Sequence, residues 1–215
     1  MKLVIQLLLW IVIIFLGYLV FNAVYDPIQF NKVKEKRYAK VIERLGDIRA
    51  AQLAHKTVTG KFEKDFDKLV RFIDTADFVL TQRRDTTYID EEYRKAYGVD
   101  KYKDDIIIDT LGTASIKDSL FKNSDRYKEM MNVPVEGVTA KFEMNAGTIL
   151  KNNMSFPVFE AKVNKGVILH DRDKDLVMQE KQVVSVESVN GEFIKVGSME
   201  EVNTNGNWPK VYGGN

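Results

Sequence analysis

Residues 3–25 read LVIQLLLWIVIIFLGYLVFNAVY, a run broken only by Gln6, Gly17 and Asn22 and free of charge. A helix rises about 1.5 Å per residue, so ~20 such residues cross a hydrocarbon layer about 30 Å thick. Residues 1–25 are therefore expected to form a transmembrane anchor, with Leu3, Leu9, Ile13, Phe15 and Val20 among its membrane-facing side chains. A cleaved signal peptide carries an apolar core of roughly 7–15 residues and a small-x-small site. Here the run is longer and the bulky Phe21 stands two positions before Ala23, so an uncut helix is expected. A buried core helix would show a polar face, and this stretch has none.

Orientation is pulled two ways. Lys32, Lys34, Lys36, Arg37 and Lys40 follow the run closely, which by the positive-inside rule favours a cytoplasmic head. Only Lys2 precedes it, a tail too short to weigh, and an apolar run at the extreme N-terminus resembles an export signal. The expectation is an inner-membrane, single-pass protein whose large domain is periplasmic or otherwise extracytoplasmic.

Beyond the run, the remainder of the 215 residues is enough for one domain with a core, or for a domain plus a helical stalk. The formal net charge of +1 indicates neither a nucleic-acid binder nor an acidic tail. The chain has no cysteine, so disulfides, thiolate metal sites and a cysteine nucleophile are excluded.

Asp26-Pro27 is expected to end or kink the first helix, since proline lacks an amide proton and clashes with the preceding turn. Tyr38, Val41, Leu45, Ile48, Gln52 and His55 then recur at intervals of three and four, one stripe of an amphipathic helix. The stripe falls short of the three to four heptads a coiled coil wants, so a helix packed on its own domain is expected. Gly60 breaks the pattern. Phe62, Phe66, Leu69, Val70 and Ile73 mark a second helix, making residues 26–73 a stalk with a helix–turn–helix corner.

Residues 74–135 read as a mixed polar and helical region. Within it, 81–105 surrounds Tyr88, Tyr93, Tyr97 and Tyr102 with charge, the pattern of a solvated loop with helical turns. Because Tyr and Arg anchor interfaces, the same four tyrosines form a candidate partner surface. Ile106-Ile107-Ile108 reads as a short buried strand, Leu111-Gly112-Thr113 as a turn, and Ser115 with Asp118 as a helix start.

Residues 136–215 change character, with short β-branched and aromatic runs at 138–144, 158–163, 167–170, 183–189 and 192–196. Asn190-Gly191, between the last two, is the signal for a two-residue hairpin. The fold class is therefore α+β: a transmembrane helix continuing into an amphipathic helix, a helical region, then a C-terminal antiparallel sheet.

That order resembles the type IV pilins and pseudopilins over residues 1–73. The anchor helix runs through a proline into Asp47-Ile48-Arg49-Ala50-Ala51-Gln52-Leu53-Ala54, and Gly60-Lys61-Phe62 leads through an acidic-aromatic stretch to Leu69. The sequence shows neither the family's basic leader ending in glycine nor its glutamate near the start of the mature helix. The resemblance thus implies topology, a single-pass protein presenting an α+β head within a multi-subunit envelope machine. Prepilin processing and pilin-type fibre assembly are not expected.

Chemistry-bearing motifs are sparse. Asp171-Arg172-Asp173-Lys174-Asp175 alternates acids as a calcium loop does, but Leu176 replaces the sixth-position glycine and Gln182 the twelfth-position glutamate. Asp109-Thr110-Leu111-Gly112 departs from a protease Asp-Thr-Gly loop by its extra leucine. Neither a Gly-x-Ser-x-Gly elbow nor a glycine-rich phosphate loop is present. The function expected is a non-enzymatic, membrane-anchored scaffold or accessory subunit without cofactor or metal. Its partners would be the membrane and other proteins, in an envelope assembly or a homo-oligomer. The Tyr38, Val41, Leu45 and Ile48 stripe and the four tyrosines would serve as its surfaces. The alternative is a tethered hydrolase or ligand sensor using His170, Asp171 and Asp173.

Overall fold

The computed structural model describes residues 2–122 and 124–212, so Met1, Asn123 and residues 213–215 of the expected anchor, middle and β regions lie outside them. The chain is α+β, with one long N-terminal helix and two separate antiparallel sheets. It divides into two compact units, residues 1–69 with 126–215, and residues 70–125; the boundary falls within α2 (Phe66–Thr75).

Helix α1 (Lys2–Thr59) organises the first unit. It contains Pro27 and continues beyond it, so of the two expected outcomes, an end or a kink, the end does not occur. Proline removes one helical donor, a cost of about 3 kcal/mol in a helix interior. Here the apolar run holds helix on one side and packing holds it on the other, so the missing bond does not terminate the element. Gly60 does terminate it: its amide donates to the Lys56 carbonyl at 2.8 Å, with φ at +77°. Buried Gln52 then fixes the corner, accepting from the Glu63 amide at 3.0 Å and donating to the Glu63 carbonyl at 2.5 Å. The polar residue in the apolar stripe is there to turn the chain.

The stripe packs on β4 (Met154–Asn164) and β5 (Phe193–Gly197), which with β3 (Glu143–Lys151) form a sheet of order β3-β4-β5. Side chains alternate across a sheet. Phe159, Ala161, Val163, Ile194 and Val196 are accordingly buried, while the neighbouring positions bring Glu160 to Lys162 and Lys195 at 3.2 Å each. Burial pushes the Glu160 carboxyl up, but hydrogen bonds from the two lysines prevail and hold it below its ordinary value.

Three sequence expectations fail in this region. Residues 167–170 are not a strand: Asn164 accepts from the Gly166 amide at 2.8 Å and opens α5 (Lys165–Ile168). Residues 183–189 form a loop, and Asn190-Gly191 joins no pair of strands, since β5 pairs with β4. The two-residue hairpin turn is Asn152-Asn153, between β3 and β4, with φ of +51° and +60°. A type I′ turn needs positive φ at both central residues, and asparagine tolerates it better than other side chains.

In the second unit, β1 (Asp77–Ile89) and β2 (Tyr102–Ser115) form a long antiparallel ribbon. Its tip is α3 (Glu91–Tyr97), capped by Asp90 through the Tyr93 amide at 3.1 Å. Of the solvated loop with helical turns expected at 81–105, α3 supplies the helical turns, but 81–89 and 102–105 are strand, and Leu111-Gly112-Thr113 lies inside β2, beside a register shift between Leu80 and Thr81. Ser115 caps α4 (Ile116–Phe121), accepting from the Asp118 amide at 3.5 Å, as its motif predicts. Ile73, Ile116 and Phe121 are buried.

Gly197 is the tightest backbone position of the sheet. Its φ is +76°, and a Cβ there would collide with the Phe159 carbonyl oxygen. We expect Gly197→Ala to lower the urea midpoint by the equivalent of at least about 1–2 kcal/mol, the cost of left-handed backbone for an L residue.

Candidate functional site

The predicted anchor residues lie on the exposed part of α1. Leu3, Leu9, Ile13, Phe15 and Val20 are between 53% and 77% exposed. The helix is long and apolar enough to cross a membrane.

The predicted stripe has a different fate. Tyr38, Val41, Leu45 and Ile48 are at most 1% exposed, so this face is consumed by the chain's own sheet and offers nothing to a partner. A 3.6-residue apolar period reports that a face is covered, not by what.

Tyr88, Tyr97 and Tyr102 are 50%, 69% and 64% exposed, and all belong to the second unit. Tyr93 lies against Tyr97, ring centroids 4.6 Å apart, with the Lys101 ammonium 4.9 Å from its ring centre. The isoleucines expected inside are outside: Ile106, Ile107 and Ile108 are 45%, 42% and 66% exposed. Ile106 and Ile108 share one face of the ribbon, opposite Asp85 and Arg83. Ile107 is on the other face, opposite Arg84, which pairs with Asp109.

The acidic cluster does not assemble as a site. Both oxygens of Asp171 are engaged, by Arg37 at 2.5 and 2.9 Å and by Arg172 at 3.2 and 2.6 Å. Asp173 caps α6 (Lys174–Lys181), accepting from the amides of Asp175 and Leu176 at 3.0 and 3.1 Å. His170 is exposed beside Gly137, where a Cβ would come 3.6 Å from its Nε2. Among the described residues no three His, Asp or Glu form a metal-binding group.

A polar centre that the sequence does not announce sits beneath this turn. Lys165 is fully buried, and its Nζ donates to the carbonyls of Glu180 and Val189 at 2.7 Å each and to Glu180 Oε1 at 3.2 Å. From α1, Lys34 donates to Glu180 Oε2 at 2.9 Å and the Tyr38 hydroxyl to Oε1 at 3.3 Å. Burial draws the Lys165 ammonium below its ordinary value, against the pull of Glu180. Burial and the neighbouring carboxylate push the Tyr38 phenol far above its own. Every Lys165 proton has an acceptor, so this arrangement holds elements together and presents no free base.

No protein-family model, curated protein or solved structure matches the chain.

Removing one member of a buried pair costs about 3–5 kcal/mol, whereas replacing both by apolar residues is often close to neutral. Glu180→Leu, which strands the buried Lys165 ammonium and takes the acceptor from Lys34 and Tyr38, should therefore lower stability by about that amount, and Glu180→Leu with Lys165→Met by less than the single change. Equilibrium urea unfolding of both variants checks this.

Hydrogen bonds from Arg37, then Arg172, hold the Asp171 carboxyl far below its unfolded value of 3.8. The folded chain binds that proton more weakly, so the stabilisation is complete above the unfolded value and lost as pH falls below it. Between about pH 5 and about pH 3, wild type should lose more Tm than Asp171→Asn.

Proposed function

We propose that this chain is a single-pass, membrane-anchored, non-enzymatic scaffold or accessory subunit of a multi-subunit envelope machine of the secretion, motility or fibre-assembly kind. Its head stands on the extracytoplasmic side of the inner membrane. The type IV pilin resemblance enters as topology only.

The observation that carries this reading is the apolar surface left uncovered in two elements. Residues 3–21 of α1 expose apolar side chains on every face, with no polar stripe for solvent. A lipid layer is the environment in which such a helix has its backbone satisfied and its side chains matched. The ribbon is the second element. Isolated two-stranded ribbons are marginal in water, and this one shows Val79, Leu80, Ile106, Ile108 and Leu111 at 45% exposure or more. A protein partner laid on these residues and the adjacent tyrosines would bury apolar and aromatic area, which is how scaffolds obtain affinity. The carboxylates of Asp171 and Asp173, which a hydrolase would need free, are occupied by arginines and a helix cap.

The test is the double variant Ile106→Lys and Ile108→Lys, assayed for native-gel complexes after mild detergent extraction. Extraction from the membrane fraction and circular dichroism should be unchanged, while the assembled species is lost. Complexes indistinguishable from wild type would overturn the ribbon as partner surface. His170→Ala should leave cellular activity intact; a folded, inserted His170→Ala protein with a null phenotype would favour the hydrolase.

A further inference from the structure

Beginning seven residues past the apolar run of 3–25, one face of α1 carries Lys32, Lys36 and Lys40, four residues apart and hence stacked in a row. They line a cleft of about 360 Å³ with Arg37 of the same helix, facing Glu136 and Arg172. All three lysines are exposed, and none has an ion pair or hydrogen bond among the described residues. The two arginines share Asp171, so one acid offsets two guanidiniums. Four cations of α1 and Arg172 thus line the cleft with Glu136, a concentration of positive charge in a chain whose formal net charge is only +1.

Height along the helix selects the ligand. Lys32 stands four residues beyond Ile28, the last strongly exposed apolar residue before the basic row, which is about 6 Å of rise. Once residues up to Ile28 occupy hydrocarbon, Lys32 lies at headgroup depth, since the polar zones add only about 5–8 Å on each side, while Lys36 and Lys40 stand about 12 and about 18 Å above Ile28 and draw an anionic headgroup from the water side. The neighbouring groove, nearer the run, is lined by Asp26, Asp171 and Asp173 against the single cation Arg172, and repels an anion. A phosphate is therefore directed to one side of the helix.

We propose that this cleft binds the phosphodiester headgroup of an anionic phospholipid, whose acyl chains stay in the bilayer beside Val24 and Ile28. The proposal rests on the anchor reading above. Where the facing leaflet carries anionic lipid, its attraction for juxtamembrane cations contributes about a fivefold preference per residue. The site would fix the head against the membrane surface and make its seating depend on lipid charge.

The experiment uses the full chain in nanodiscs of phosphatidylcholine, with or without phosphatidylglycerol, reading lipids retained on detergent extraction and the thermal midpoint. Phosphatidylglycerol should be enriched over phosphatidylcholine and raise the midpoint. The triple variant Lys32→Gln, Lys36→Gln, Lys40→Gln should enter nanodiscs and match wild type in phosphatidylcholine, yet lose the enrichment. Glu136→Gln should strengthen it. An equal rise with inorganic phosphate in pure phosphatidylcholine would overturn the lipid in favour of a free anion. Incorporation without enrichment would overturn the cleft and leave the anchor standing. Failure to incorporate at all would remove both.

Discussion

A lysine with no exposed surface has to find an acceptor for each of its protons, because an unmatched buried ammonium costs several kcal/mol. Lys165 meets that requirement with groups from two different places: the end of α6, and the Val189 carbonyl in the loop that follows. Glu180, drawn in as counter-charge, recruits Lys34 and Tyr38 from α1. One buried cation thereby fixes the first turn after β4, the end of α6, the path of residues 183–192 and the azimuth at which α1 meets them. It also explains why residues 183–189 are no strand despite their valines. With Val189 turned inward to Lys165, Val184 and Val186 are left 89% and 94% exposed.

Within α1 the same backbone serves two solvents. Up to Ile28 its apolar side chains are uncovered, and from Phe30 onward the apolar positions narrow to the stripe that meets β4 and β5. The basic residues cluster at the change, where one face is packed and the others are open.

The long first helix, its stop at Gly60, strand β4 and the Ser115 cap were all legible, because each rests on local chemistry. What escaped depended on burial, on a competing local signal or on partners distant in sequence. The ribbon carries Thr86, Thr87, Arg83 and Asp85 among its apolar residues, since neither face is buried, and without burial the period-two signal vanishes. The Asn152-Asn153 turn was readable in principle from two adjacent asparagines between β-rich runs, but Asn190-Gly191 is the stronger local signal. At that position Gly191 keeps positive φ while its amide closes on Val183, so the dipeptide turns the chain without joining strands. The buried centre gave no sign at all. A lysine and a glutamate fifteen positions apart look like surface residues until the fold encloses them.

Because α1 passes through Pro27 without ending, one continuous helix joins the apolar run to the packed stripe. Each residue turns the helix by about 100° and advances it about 1.5 Å, so the packed stripe dictates which side of the apolar half points where. Adding or deleting a single residue between Pro27 and Lys32 would swing the whole α/β body around the shaft by more than a quarter turn, with scarcely any change in height. The helix behaves as a keyed axle, on which compass bearing is inherited from the number of residues counted out between lipid-length run and sheet.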